Sequence, residues 1–433
     1  MRLKTWITAF LLLPDLLCAQ DITGKWQGTL DMGQRHTRVI LKIEKANEGG
    51  LQGRLYMPEG SPDFLDWGAD NPLDSVTLQG ANLKFSYAYG GGGTFAGRVS
   101  ADGLSIQGTW AQGRPLPLKL ERATPATEWK DPYSHTVQFI TVDKGVQLEV
   151  VDWGGSGRPL VFLAGGGLTA HSHDRFAPKF TGKYHAYGIT RRGFGDSSSP
   201  GSGYSADRLG DDVIAVLDAL KLNRPVLIGQ SIAGEEMSSV ASRHPERVAG
   251  LVYLDAGYSY AFYDSSRGDP DVDIVDLRNK LEQFKNGKGP EDLRPLIQEL
   301  LEKDLPGFER DLRTMQKDLE AELGPENSTQ LSRPVRPPLQ AMFDGFQKYT
   351  QIPVPILNIY AVPHDFSRPG DDPKERAAIE ARDEITTGAQ ADAFAKGVPS
   401  ARVVRLPHAR HNVIASNEAD VLREMNSFLA GLP

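Results

Sequence analysis

Six residues, Gly229-Gln230-Ser231-Ile232-Ala233-Gly234, carry the clearest chemical signal in this chain. They follow a short apolar run, Pro225-Val226-Leu227-Ile228, and open into a helix-like segment, Met237 to Arg243. A serine at the tip of a sharp strand-to-helix turn exposes its hydroxyl as a nucleophile. Such a turn brings backbone segments too close for large side chains two positions before and after the serine, and Gly229 and Ala233 meet that demand. A serine that merely caps the following helix is the competing reading. A free hydroxyl is weakly nucleophilic and needs a base to take its proton. It also needs a group that orients the base and backbone donors for the oxygen that becomes negative.

The elements that must hold these groups follow from the hydrophobic pattern. From His135 onward, apolar runs at 135–142, 146–151, 160–163, 184–189, 226–228, 251–254, 356–360 and 402–406 alternate with helical patterns. In Ser205 to Leu220, Leu209, Val213, Val216, Leu217 and Leu220 recur at helical spacing behind a serine cap, and the C-terminus repeats the pattern with Val421, Leu422, Met425, Phe428 and Leu429. Strands alternating with helices predict a largely parallel sheet covered on both faces. From Gly257 to about Gln351 the alternation stops; helical stretches without strands predict a cap over the sheet. Before this region, residues 21–122 read as all-β, with about eight short strands separated by Gly-rich turns, the pattern of a small barrel or sandwich. A polar, Pro-containing stretch at 123–134 reads as the linker.

Several motifs in fixed order make residues 135–433 resemble the α/β-hydrolase superfamily. Phe162-Leu163-Ala164-Gly165-Gly166-Gly167 is similar to its oxyanion loop, with Ala164 where histidine is common. Thr190-Arg191-Arg192-Gly193-Phe194-Gly195-Asp196-Ser197-Ser198 is similar to its D-x-R-G-x-G-x-S segment, with Thr190 where aspartate is usual. The resemblance implies an α/β-hydrolase fold with a helical cap insertion, and a triad in the order Ser, Asp, His. It implies Ser231 as nucleophile and His411 as base, since Ala409-x-His411 has the family's phasing; His408 becomes a rim residue. Asp365, after the strand 356–360, is the favoured acid; Asp255, at the end of the strand 251–254, is the alternative, and Asp371 and Asp372 are further candidates. The backbone N–H groups of Gly166 and Ile232 would form the oxyanion hole, with Gly167 in reserve. Glu235 and Glu236 are expected to face the positive end of the following helix, and Arg192 and Asp196 to form a structural pair. His171 and His173 would line the pocket, while His185 and His364 read as loop or packing residues. The N-terminal region resembles the lipocalin-like β modules that precede some secreted bacterial hydrolases.

The implied activity is a serine carboxylesterase acting on small or medium esters through an acyl-enzyme. An aminopeptidase or amidase of the proline iminopeptidase type is the alternative, although Gly165-Gly166-Gly167-Leu168 lacks that group's proline. A ligand-binding protein on a retired hydrolase fold is the non-enzymatic alternative; such proteins usually lose a triad member. Dehalogenase and epoxide hydrolase mechanisms would need aspartate at 231. No cofactor and no metal are implied, and the partner is a small ester or amide substrate. A net charge of −8 argues against nucleic acid. Residues 1–20 read as an export signal, with Arg2 and Lys4 ahead of apolar Trp6 to Leu13 and cleavage after Ala19 or Gln20, so a secreted or periplasmic protein is expected. That apolar run is too short to span a bilayer, so no stable membrane insertion is expected. Cys18, the one cysteine, would leave with the signal. The sequence fixes no oligomeric state.

Overall fold

Strict alternation decides the first hundred residues. A computed structural model describes residues 21–31, 36–46, 49–57, 69–87, 93–112, 114–128, 133–285, 290–322, 337–367 and 372–433. The expected export signal, part of the expected linker, Asp371 and the glycosylation-type sequence Asn327-Ser328-Thr329 lie outside the described residues. Nine antiparallel strands form the N-terminal sheet: β1 (Gly24–Asp31), β2 (His36–Lys45), β3 (Leu51–Met57), β4 (Ala69–Pro72), β5 (Ser75–Gln79), β6 (Asn82–Tyr87), β7 (Gly93–Val99), β8 (Ser105–Gln112) and β9 (Arg114–Arg122). Their order is β4-β3-β2-β1-β9-β8-β7-β6-β5, a nearly closed barrel. One residue in two points inward, as β2 shows with Thr37, Val39, Leu41 and Ile43 buried between outward neighbours. Trp26 and Trp110 are fully buried in the barrel, with Phe85 stacked on Phe95 at 4.8 Å. The expected strands all form. β4 was not expected, because Ala69-Asp70-Asn71-Pro72 carries no apolar alternation.

The stretch after the barrel is tied back to it. Gln27 Nε2 donates to the Thr127 carbonyl at 2.6 Å, and Lys25 pairs with Glu128.

The second sheet runs β10 (Thr136–Asp143), β11 (Val146–Gly155), β12 (Pro159–Leu163), β13 (His185–Ile189), β14 (Val226–Gln230), β15 (Gly250–Leu254), β16 (Ile356–Ala361) and β17 (Ala401–Leu406). Its order is β10-β11-β13-β12-β14-β15-β16-β17; β11 pairs antiparallel with its neighbours and the other pairs are parallel. Central strands are buried on both faces, so they read as continuous apolar runs. Side chains of β14 and β15 alternate between two cores. Leu227, Leu251 and Tyr253 pack with α1 (Ala206–Ala219) and α2 (Ala233–Arg243). Ile228, Val252 and Leu254 pack on the other face. The Ser205 hydroxyl caps α1 by accepting from Arg208 N.

Between β15 and β16 the chain forms α3 (Pro270–Lys285), α4 (Pro290–Glu299), α5 (Leu305–Glu322) and α6 (Pro337–Phe343), the expected cap. A 25-residue helix, α7 (Pro373–Gly397), separates β16 from β17, and α8 (Val413–Ala430) closes the chain over the second core. α7 went unrecognised in the sequence because its apolar residues do not gather on one stripe; Ile379 and Ile385 face solvent.

Candidate active site

Ser231 sits where β14 breaks into α2, and its φ of 53° is the strained left-handed geometry of a nucleophile turn. Sterics explain its neighbours. A Cβ on Gly229 would lie 2.8 Å from the Met237 sulfur and 3.0 Å from the Ala233 Cβ, and one on Gly234 would lie 2.0 Å from the Ala256 carbonyl oxygen. The glycine loop after β12 lies against this turn. A Cβ built on Gly165 would be 3.4 Å from that of Ser231, and one on Gly166 would be 3.5 Å from Ile232. Ile232 is the N-cap residue of α2, where the first N–H groups have no partner within the helix. Gly166 and Ile232, the residues expected to give the oxyanion donors, are therefore brought together beside Ser231.

A brace for this loop was missing from the sequence reading, since Ala164 replaces histidine. The structure supplies it from below. Arg191 Nη2 donates to the Ala164 carbonyl at 3.0 Å, while Arg191 forms a bidentate pair with Glu236 on α2 at 2.7 and 2.9 Å. All three groups are buried. Glu236 thus anchors the loop rather than only facing the helix N-terminus. Burial holds the Glu235 carboxyl well above the usual carboxylate range, against the opposing pull of Arg191. Arg192 pairs with Asp212 through two 2.6 Å bonds, not with Asp196 as expected, because Asp212 on α1 faces the buried guanidinium.

The carboxylate that meets His411 is Asp255, the alternative candidate, and not the favoured Asp365. His411 Nδ1 lies 2.6 Å from Asp255 Oδ2. Asp365 turns away: its carboxylate accepts from Ser367 N at 2.9 Å and meets Arg410 Nε at 3.4 Å. Two features of the backbone cause this. Asp255 follows β15, the strand next to β14, and Ser231 N donates to the Leu254 carbonyl, so the two strand ends are adjacent. After β16 the chain bends at Val362-Pro363 and makes a single bridge at His364, which leaves His364 facing inward to Asp255 and Asp365 outward to Arg410. Of the two carboxylates the sequence offered, Asp255 meets His411 and Asp365 does not. Asp372 caps α7 by accepting from Lys374 N.

His364, read from sequence as a loop residue, is the main group that was missed. Its Nε2 lies 2.7 Å from Asp255 Oδ2 and its Nδ1 2.9 Å from Asp383 Oδ2 on α7. A continuous chain results: His411, Asp255, His364, Asp383. Asp255 has no exposed surface and a φ of 49°. Burial pushes its pKa up, but hydrogen bonds from His364 and His411 outweigh this and hold it below the usual carboxylate range. Burial opposes the charge on His364, yet Asp255 and Asp383 raise its pKa to about 9. The Asp255 Oδ1 accepts from Ala361 N at 3.0 Å. Tyr258 sits 3.3 Å from His364 Nε2. Two tyrosines within six residues of the β15 end were a usable signal. Although Asp255, His364 and His411 form a donor set that a metal could use, both nitrogens crowd one oxygen at hydrogen-bond distance. His408 is mostly exposed, and His173 is buried, with its pKa lowered by that burial to about 4.

Residues 158–418 match the alpha/beta hydrolase fold family. The chain belongs to that family. This α/β-hydrolase is 36% identical over 120 residues to a non-heme chloroperoxidase of Streptomyces lividans, covering 27% of this chain and 44% of that protein. It is 30% identical over 153 residues to the bifunctional esterase/perhydrolase DCH of Acinetobacter calcoaceticus, covering 34% and 55%. The chain spans between about two fifths and three fifths of the length of the curated relatives it matches. Among solved structures, bromoperoxidase from Bacillus anthracis aligns with a TM-score of 0.43 at 20% identity, over 68% of the α/β-hydrolase and 100% of that chain.

Proposed function

We propose that this α/β-hydrolase is a serine carboxylesterase with Ser231 as nucleophile, His411 as base and Asp255 as acid. The observation that carries the reading is the 2.6 Å bond from Asp255 to His411 Nδ1, at a strand end adjacent to a serine with φ 53°. With Nδ1 engaged, Nε2 is the nitrogen left to take the serine proton and return it to the leaving group. The order is attack on the ester carbonyl, collapse to an acyl-enzyme with loss of the alcohol, and hydrolysis of that acyl-enzyme by water. Gly166 and Ile232 N–H groups are assigned to the oxyanion, each donor worth about a hundredfold in rate. Support for an apolar acyl group comes from the cluster around the turn, where Ile232 packs with Tyr260, Leu339 and Met342. The esterase relative supports ester over amide substrates. Export through residues 1–20 and a lipocalin-like role for the barrel complete the proposal.

The test is labelling by a fluorophosphonate probe together with an ester and amide panel. Folded wild type should be labelled and should turn over p-nitrophenyl acetate and butyrate. Ser231→Ala should lose both, with a rate loss of at least about 10³-fold. A folded wild type that resists the probe refutes the reading, and turnover of aminoacyl-naphthylamides in preference to esters moves it to the amidase alternative.

A further inference from the structure

A second cluster of histidine and carboxylate lies away from the acyl-transfer residues, where the end of the linker meets the short helical turn Ala170–His173. His135 precedes β10, His171 lies in that turn and Asp174 follows it. His171 Nδ1 is 3.0 Å from Asp174 Oδ2, and His135 Nδ1 is 3.5 Å from Asp174 Oδ1. One donor atom from each of the three residues falls within 4.8 Å of the others. The His135 side chain is only 9% exposed, yet its Nδ1 has no hydrogen-bond partner. A buried ring nitrogen without a hydrogen-bond partner, aimed at a carboxylate, needs an explanation.

Geometry gives one. Tetrahedral zinc bonds of 2.0–2.1 Å place neighbouring donor atoms about 3.4 Å apart; here His171 Nδ1 faces Asp174 Oδ2 at 3.0 Å, His135 Nδ1 faces Asp174 Oδ1 at 3.5 Å, and one donor atom from each residue lies within 4.8 Å of the others. The surroundings also have the form of an outer shell around a metal. His171 directs its other nitrogen to Glu149 Oε1 at 3.3 Å, and Glu149 is held in turn by the Thr190 hydroxyl at 2.6 Å. Trp153 Nε1 fixes Asp174 Oδ1 at 2.7 Å, leaving that oxygen a second lone pair. Ligating histidines commonly donate their second N–H to a carboxylate in this way. Both histidines line a cavity of about 340 Å³ between barrel and hydrolase sheet, along with Trp26, Lys42 and Glu149. This provides an entry path and room for a solvent ligand.

We propose that His135, His171 and Asp174 form a binding site for a borderline divalent metal such as zinc, completed by a ligand from the cavity. The ion would clip the start of the hydrolase sheet to the segment that leaves the glycine loop at Gly167. Nitrogen and carboxylate donors favour zinc-like ions over magnesium.

The experiment uses the full chain, stripped with EDTA and desalted, then titrated with zinc chloride by calorimetry. One zinc per chain should bind at this cluster, with a raised Tm, and cobalt(II) should give the visible absorption of a tetrahedral site. His135→Ala, whose fold is checked by circular dichroism, should weaken binding at least tenfold. Glu149→Gln should weaken it 10- to 100-fold, as outer-shell losses do. His411→Ala should still bind, since the other donor set on the molecule includes that residue. The proposal fails if wild type neither takes up zinc nor gains in Tm. It also fails if binding survives His135→Ala but is lost in His411→Ala, or if magnesium binds as well as zinc.

Discussion

Replacing Asp255 by asparagine tests the assignment of the acid most directly. Among the described residues Asp255 is the carboxylate that pairs with His411, at 2.6 Å, and it is fully buried. Asparagine keeps the shape but removes the charge that stabilises the imidazolium. Its amide can present N–H to Nδ1, which forces the proton onto Nε2, the nitrogen that must accept from serine. In a serine protease the same change costs about 10⁴ in kcat, or about 5.4 kcal/mol of barrier. Asp255→Asn should therefore lower kcat for p-nitrophenyl butyrate about 10⁴-fold and slow fluorophosphonate labelling in parallel. Asp365→Asn should stay within about threefold of wild type, since partly exposed pairs such as Asp365–Arg410 contribute at most about 1 kcal/mol. Thermal melts of both variants separate catalysis from folding. If Asp365→Asn loses activity and Asp255→Asn keeps it, the reasoning from strand adjacency is wrong.

Three other outcomes follow from the same geometry. His411→Ala should abolish ester turnover while His408→Ala retains most of it; the reverse would remove His411 as base. Since the pKa of His364 is raised from 6.5 to about 9, its charged form stabilises the fold fully below pH 6.5, and that contribution fades as pH climbs through 9. The fading amounts to about 3 kcal/mol, so Tm should fall between pH 7 and pH 10 more steeply in wild type than in His364→Gln; parallel slopes would refute a charged His364. Glu236→Gln removes one charge of a buried pair and should cost about 3–5 kcal/mol in chemical denaturation, with slower probe labelling as the glycine loop loosens. A loss under 1 kcal/mol would show that Arg191 finds another partner.

The serine turn, the glycine loop and all eight strands of the hydrolase sheet could be read from sequence because each rests on local rules: small residues at close approaches, continuous apolar runs in buried strands. What could not be read was lateral. Whether β15 or β16 supplies the acid depends on which strand end lies beside β14 and which side chain turns inward, and neither is a property of a linear segment. His364 and Asp365 are neighbours in the chain yet face opposite ways. Asp383 belongs to a helix without an apolar stripe, so nothing local announced that it would reach the site. The Arg191–Glu236 brace was hidden for a related reason: its partners are 45 residues apart and meet only when α2 packs beneath the loop.

With the proposed acid at the end of β15, the β16 loop is free for another use. The span between nucleophile and acid is set by the ladder joining two adjacent strands, so it is fixed by the backbone and indifferent to how the cap is built. The cap between β15 and β16 can then change its shape, and with it the accepted acyl group, without moving the pair that does the chemistry. The β16 loop and α7 instead reach the proposed acid through His364 and Asp383. A substitution at Asp383, two groups removed from the base, would change the charge that Asp255 feels and so retune the working pH while every reacting atom stays in place.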